Sequence, residues 1–341
     1  MDPVTVGPNA RESRTALIVG AGTAGLLHAL TLKAHGVRIA AIFDPDGDKA
    51  RSLAELVGGM AVDAPTAKDA EAASIVVIGS PPRVHAAQCA ELSRPDRTLV
   101  VEKPIATTVA ELDGLAALPN AFAVLQWRVG RGLVAVRRAV AAGLLGPVPS
   151  VAVDCALQRD ALYFAKEGRD SLSRWGAGPL LSIGIHAVDA ALHALGAVAA
   201  RRVVATMARR PGSDLERAAA LAVETDRGAI VSLRFTVEAA RDEVRFAFAG
   251  GGVTLTLAGS EQDPTGADLG IESTDAALAQ KLAELERVAP GGRSAPLLVP
   301  LYAAILKPSA SLEPPTLSSA QLAHRVMFEA YAADEQRTPS S

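Results

Sequence analysis

Two short segments of this chain hold the residue types that move protons. VVEKPIA, Val100 to Ala106, sets Glu102 and Lys103 ahead of Pro104. GPLLSIGIHAVDAALHALG, Gly178 to Gly196, places His186 in an otherwise apolar run, with Asp189 and His193 following it. A lysine at the edge of a cofactor pocket can hydrogen-bond a hydroxyl or carbonyl oxygen, and burial beside a positive ring lowers its pKa toward useful proton transfer. The Glu102 and Lys103 pair reads equally as a solvated loop pair. For His186 three readings stay open. As i, i+3 and i+7, His186, Asp189 and His193 share a helical face, yet the spacing does not favour a metal site; the ring is either a core histidine that has found a partner or an acid–base group in a pocket.

Such residues need a scaffold, and from Thr15 the chain supplies one. TALIVG reads as a buried strand, GAGTAG as a tight turn, and LLHALTLKAHG as a helix that Gly36 ends. VRIAAIFD is a second strand closing on Asp44; DKARSLAELVGG, SIVVIGS, PPRVHAAQCAEL and TLVVEK continue as helix, strand, helix and strand. Alternating β and α with apolar strands predicts a parallel sheet covered on both faces. Lys103 then falls at the carboxyl end of a strand, where open α/β sheets place their ligands.

The glycines of that first turn, Gly20, Gly22 and Gly25, form GxGxxG between a strand and a helix, with Thr23 and Ala24 in the same cofactor loop. Gly20 permits the turn, Gly22 lets a pyrophosphate approach the backbone, and Gly25 lets helix pack on sheet. Asp44 ends the second strand where a carboxylate accepts hydrogen bonds from an adenosine ribose and repels a 2′-phosphate, so NAD is preferred, with NADP not excluded.

The whole chain narrows the partners. It has 341 residues, 49% of them hydrophobic and 21% charged, enough for two domains with their own cores. With 34 Lys and Arg against 37 Asp and Glu, the net charge of -3 carries no footprint for nucleic acid, so small-molecule partners are favoured. Cys89 and Cys155 stand in unrelated contexts, and a cytoplasmic location is expected, with neither a signal peptide nor a membrane span.

The GxGxxG turn, SPPRVHAA (Ser80 to Ala87), the Glu102-Lys103-Pro104 triplet and GIHAVD (Gly184 to Asp189) together resemble the Gfo/Idh/MocA oxidoreductases. The resemblance implies an α/β fold: an N-terminal Rossmann dinucleotide-binding domain plus a C-terminal α/β domain with a large, mostly antiparallel open sheet. The strand-rich runs after Ser150 fit that second domain, and SSAQLAHRVMFEAYAAD reads as its closing helix. The expected division is a tail over 1–14, a Rossmann domain over 15–126, a substrate and oligomerisation domain over 127–317, and a closing helix and tail over 318–341.

By the same resemblance Lys103 is the catalytic lysine, Ser80, Pro81 and His85 border the nicotinamide and its ribose, and Glu102 lies near that ribose. His186 matches the histidine that exchanges the proton of the reacting hydroxyl. One position departs: where the inositol dehydrogenase branch has an aspartate four residues before the histidine, this chain has Ser182, a hydroxyl expected to orient the imidazole without stabilising its charge. Asp189 is expected to be structural or to support the ring. Arg128, at the end of an expected strand FAVLQWR, is a phosphate or carboxylate donor or else a salt-bridge partner. Trp175 could stack on a sugar or simply pack, and Tyr163 and Arg174 lie in the segment that would set substrate selectivity. The implied activity is hydride transfer between NAD and a carbinol or carbonyl carbon of a polyol, ketosugar or cyclitol, by a homodimer or homotetramer. Imine reduction, or dinucleotide and sugar binding by a regulator without turnover, are the alternatives.

Overall fold

The computed structural model describes residues 14–147, 150–166, 168–292, 296–309 and 312–335. Of the expected N-terminal tail, 1–14, all but residue 14 lies outside the described residues, as do 336–341 of the expected closing helix and tail, 318–341. The chain divides into two compact units, residues 14–80 with 92–100, and residues 81–91 with the chain from 101 onward.

In the first, strands alternate with helices: β1 (Thr15–Val19), α1 (Thr23–Ala34), β2 (Arg38–Phe43), α2 (Gly47–Val57), β3 (Met60–Ala61), α3 (Lys68–Glu71) and β4 (Ile75–Ile78). After α4 (His85–Leu92), β5 (Thr98–Val101) carries the chain across the division, followed by α5 (Val109–Leu115) and β6 (Ala121–Ala123). The sheet order is β3-β2-β1-β4-β5-β6, with β1 parallel to both β2 and β4. The order therefore reverses at β1, so the carboxyl ends of β1 and β4 form a crevice of the kind that receives ligands in open α/β sheets. Ala16 through Val19 and Ile75 through Ile78 are all buried, as continuous apolar strands covered on both faces must be.

Beyond β6 the second unit continues with α6 (Arg131–Ala141), β7 (Ser150–Gln158), α7 (Ala161–Ala165) and α8 (Leu172–Trp175). A π-helical turn, Leu180–Gly184, then leads into α9 (Ile185–Leu195). Strands β8 (Ala200–Arg209), β9 (Glu216–Thr225), β10 (Ile230–Thr236), β11 (Glu238–Gly250), β12 (Val253–Gly259) and β13 (Gly270–Ser273) follow, then α10 (Ala276–Arg287), α11 (Leu298–Leu306) and α12 (Leu317–Glu335). The seven-stranded sheet runs β13-β12-β11-β7-β10-β9-β8 and is antiparallel except where β7 meets β10. Strict alternation in β7 turns Val151, Val153, Cys155 and Leu157 toward the core and leaves Ser150, Ala152, Asp154 and Ala156 on the other face. Helix α9 lies on the inner face in the same core as α6 and α12, and ten of its residues are buried.

Two local expectations change. FAVLQWR is not strand up to Arg128: β6 stops at Ala123, and Gln126–Val129 is a 3-10 turn whose Arg128 N–H returns to the Leu125 carbonyl. An apolar run is compatible with either geometry, and tertiary burial of Trp127 and Arg128 selects the turn. The helix containing His186 also starts with a π turn, a form frequent at functional sites. No helix among the described residues is long and apolar enough to cross a membrane.

The glycine turn is tightly constrained. Gly20 has φ +102°, and a Cβ there would stand 2.8 Å from the Gly79 carbonyl; a Cβ on Gly25 would stand 1.9 Å from the Gly20 oxygen. Gly25→Ala is therefore expected to force the first turn of α1 off β1 and lower stability by at least about 2 kcal/mol, read by chemical denaturation. Unchanged stability would contradict this packing.

Candidate active site

In the first unit, the end of β1 is built to receive a dinucleotide. Gly22 precedes α1 in an extended conformation, and this helix start has neither a side-chain cap nor an acidic residue in its first turn. Its free N–H groups and positive dipole end suit a phosphate. Thr23 is exposed and Ala24 half-buried at that start, while Ser80 follows β4 at the same sheet edge as Gly20. Asp44 folds back over the turn: one carboxylate oxygen accepts the Ala21 N–H at 2.8 Å and the other accepts the Asp46 N–H at 2.9 Å. Each oxygen retains a lone pair for a ribose hydroxyl. The residues present thus fit the cofactor their pattern implied.

In the second unit, the loop after β5 is held by two buried histidines. His85 Nδ1 lies 2.9 Å from the Pro104 carbonyl, which makes that nitrogen the donor. His324 Nε2 accepts the Ile105 N–H at 3.0 Å, so its Nδ1 carries the proton and donates to the Ala320 carbonyl at 2.9 Å. The preceding Lys103–Pro104 peptide is cis. His85 is fully buried and steadies the loop that carries Lys103. Pro81 opens the turn leading into α4 and is half-buried. Glu102 is half-buried too, and its carboxylate accepts the Lys103 N–H at 3.0 Å.

The clamped loop aims Lys103 at the π turn, where its ammonium donates to the Ser182 main-chain oxygen at 2.8 Å. Lysine and histidine motifs far apart in the chain are thereby joined. His186 is 3% exposed, and burial first, then the positive Lys103, holds its imidazole well below the usual histidine range, so it is neutral at pH 7. The expected bond from Ser182 to the ring is not made: the hydroxyl points to the Ala177 carbonyl at 3.5 Å, and His186 Nδ1 is buried with no hydrogen-bond partner. Trp127 instead stacks on the ring, with centroids 5.1 Å apart and planes at 28°.

Arg128 and Asp189 take the salt-bridge and structural alternatives expected for them. They form a buried two-pronged pair, Nε to Oδ2 at 2.7 Å and Nη2 to Oδ1 at 2.5 Å, and Arg128 also donates to the Ser319 hydroxyl and carbonyl of α12 at 2.8 and 2.9 Å. Arg128 is thus committed to a structural anchor rather than to a cofactor phosphate, and Asp189 to Arg128 rather than to the histidine. The same commitment takes Asp189 out of any metal site with His186 and His193. Burial raises the Asp189 carboxyl although Arg128 pulls it down. His193, beside Arg137, is depressed to about 2 by burial and by the positive Arg128 and Arg137.

The remaining candidates gather around a different guanidinium. Arg169 lies 4.8 Å from the Tyr163 ring centre and 4.9 Å from that of Trp175, so a cation occupies one face of each ring. Arg174 is exposed and pairs with Asp170. Sequence reasoning passed over Trp127 as a ring partner, His324, and Glu216. The Glu216 carboxylate accepts the Leu180 N–H at 2.5 Å and the Tyr331 hydroxyl at 2.6 Å, pinning the π turn; burial raises its pKa. No motif marks Glu216, but a glutamate opening an apolar strand run was a signal of sorts.

Two outcomes follow from these contacts. Removing one partner of the Arg128 and Asp189 pair, as in Asp189→Ala, should cost about 3–5 kcal/mol in urea denaturation, whereas Arg128→Met with Asp189→Leu should cost less than either single change. His324 is depressed to about 4 by burial, below its unfolded value near 6.5, so the unfolded chain binds the extra proton between those pH values. Stability from this residue is then full above about 6.5 and lost as pH falls toward about 4, on the order of 3 kcal/mol. His324→Gln should flatten that part of the profile; an unchanged slope would refute the assignment.

Comparison with known proteins agrees with this architecture. Residues 14–122 match the oxidoreductase family with an NAD-binding Rossmann fold, and residues 133–261 match the GFO/IDH/MocA C-terminal domain. The WlbA dehydrogenase from Bordetella pertussis, solved with NADH and UDP-GlcNAcA, shares the fold at 19% identity and TM-score 0.79 over 97% of this chain and 98% of that one. A myo-inositol dehydrogenase from Corynebacterium glutamicum does so at 17% identity and TM-score 0.68, over 95% and 97% of the two chains. The aldose-aldose oxidoreductase from Caulobacter crescentus gives 18% identity and TM-score 0.70, over 96% and 98%. No curated protein matches the chain in sequence. With its NAD-binding Rossmann domain and its large, mostly antiparallel second sheet both matched, the chain belongs to the Gfo/Idh/MocA oxidoreductase family.

Proposed function

We propose that this protein is an NAD-dependent dehydrogenase or reductase that interconverts a carbinol and a carbonyl on a sugar, cyclitol or related polyol. The observation that carries the reading is the Lys103 ammonium, 2.8 Å from the Ser182 carbonyl on the turn that leads into His186. It brings a cationic donor and a neutral imidazole to one place, the pair needed to handle a hydroxyl proton. The solved relatives that bind a sugar nucleotide, or are named for inositol and aldose, support the substrate class.

Bound NAD supplies or accepts the hydride at its nicotinamide ring. The chain's own residues manage the oxygen. Of the three N–H donors on Lys103, one is spent on Ser182, which leaves another to donate to the substrate oxygen and stabilise charge developing there. His186, kept neutral by burial and by Lys103, takes the proton from the alcohol in oxidation and returns it in reduction. Asp44 would hold the adenosine ribose of the cofactor and the start of α1 its pyrophosphate.

The test follows NADH formation and consumption over ketosugars, cyclitols, aldoses and sugar nucleotides. Lys103→Ala should lower kcat by about a thousandfold and His186→Ala by about a hundredfold, with NADH affinity retained in both. Full turnover by Lys103→Ala would refute the reading. Tight NADH binding without turnover of any substrate class would instead favour a regulator.

A further inference from the structure

The absence of a hydrogen bond to His186 Nδ1 raises a physical problem. The torsion that spins an imidazole about its attachment is broad, so a ring held by neither donor nor acceptor needs another restraint. Its flat neighbour is Trp127, which is 1% exposed and stacked at 5.1 Å. Trp127 is itself fixed on several sides. Its indole N–H donates to the Glu261 carbonyl at 3.1 Å, and its own carbonyl accepts the Thr265 hydroxyl at 2.7 Å. The edge of Phe246 meets the indole at 6.1 Å and 85°. Gly130 closes the same corner: a Cβ there would stand 2.1 Å from the Thr265 hydroxyl oxygen. The indole is thus a rigid shelf, anchored to the loop beyond β12 and lying under the imidazole.

We propose that Trp127 is a positioning residue for His186, orienting the imidazole by face contact and stabilising its transient positive charge through the negative face of the indole. A carboxylate partner would do both jobs by hydrogen bonding and full charge. An aromatic face does them without placing a second anion in the core, and more weakly, by about two- to tenfold per stacked pair. Tight stacking also disfavours any ring rotation that would lose the contact. Ser182 is then free to offer its main-chain oxygen to Lys103.

The kinetic half of this inference rests on the functional reading above; the structural half does not. Full-length Trp127→Phe and Trp127→Leu proteins are compared with wild type by NMR of histidine Cε1–H groups, the His186 signal being assigned by its loss in His186→Ala. In wild type that proton should carry an upfield ring-current shift, retained in part by Phe and removed by Leu. With a turned-over substrate, Trp127→Leu should lower kcat about tenfold with KM within about twofold, and Trp127→Phe should recover most of the loss. Should the Leu protein fail to fold, Trp127→Met replaces it with the same expectations. A wild-type His186 resonance in the Leu or Met protein, or a Phe protein as slow as the Leu protein, would overturn the proposal. Wild-type turnover by His186→Ala would overturn the functional reading instead, leaving the ring-current shift to decide the stacking.

Discussion

A helix buried along nearly its whole length needs anchors inside the protein for the polar groups it carries, and α9 is such a helix, with His186 Nδ1 the atom left without one. Its entry is pinned where Glu216 and Tyr331 meet Leu180. Its middle is held by Asp189 on Arg128, and through Arg128 by Ser319 of α12. At its end the His193 carbonyl accepts from Arg137 at 2.5 Å. Each anchor comes from a distant part of the chain, so the position of His186 is set by the tertiary structure rather than by the helix alone. The cost of taking these charges out of water is offset only because each one is met by a geometrically suited partner.

The lysine loop is held by side chains from distant parts of the chain as well. His85 and His324 each offer one ring nitrogen to the same peptide group, His85 to the Pro104 carbonyl and His324 to the Ile105 N–H, so the loop that carries Lys103 is fixed from both sides of that peptide. His186, His193 and His324 are all driven toward the neutral form by burial, and neighbouring Lys103 or Arg128 pushes each in the same direction. A neutral imidazole keeps one donor and one acceptor, which is how His324 bridges the Ile105 N–H and the Ala320 carbonyl.

Membership in the family does not make this site a copy of its relatives. The serine at position 182 was expected to do weakly what an aspartate does strongly; its hydroxyl in fact turns away, and its backbone oxygen serves the lysine. The imidazole leans on an indole whose own fixation runs to Glu261 and Thr265. The surroundings of His186 are therefore set by contacts between a 3-10 turn, a π turn and a loop of the antiparallel sheet, details that belong to the site rather than to the fold.

The sequence by itself determined the elements whose signals are local. GAGTAG between an apolar strand and a helix, Asp44 at the next strand end, and the shift from alternating βα to repeated β runs all depend on backbone geometry and side-chain period, which neighbouring residues dictate. Lys103 and His186 were legible as chemistry-bearing residues, and Asp189 as structural, from their residue types and surroundings. What Ser182, Arg128 and Trp127 do was decided only by the tertiary structure. Each has several possible partners of equal chemical merit, and no period in the sequence says which of them burial will bring within reach. Arg128 could have met a phosphate and met Asp189; Trp127 could have filled the core and became the shelf beneath His186. The partners of Glu216 and His324 were illegible for the same reason, since a carboxylate and an imidazole become anchors only when folding places an N–H within 3.0 Å of them.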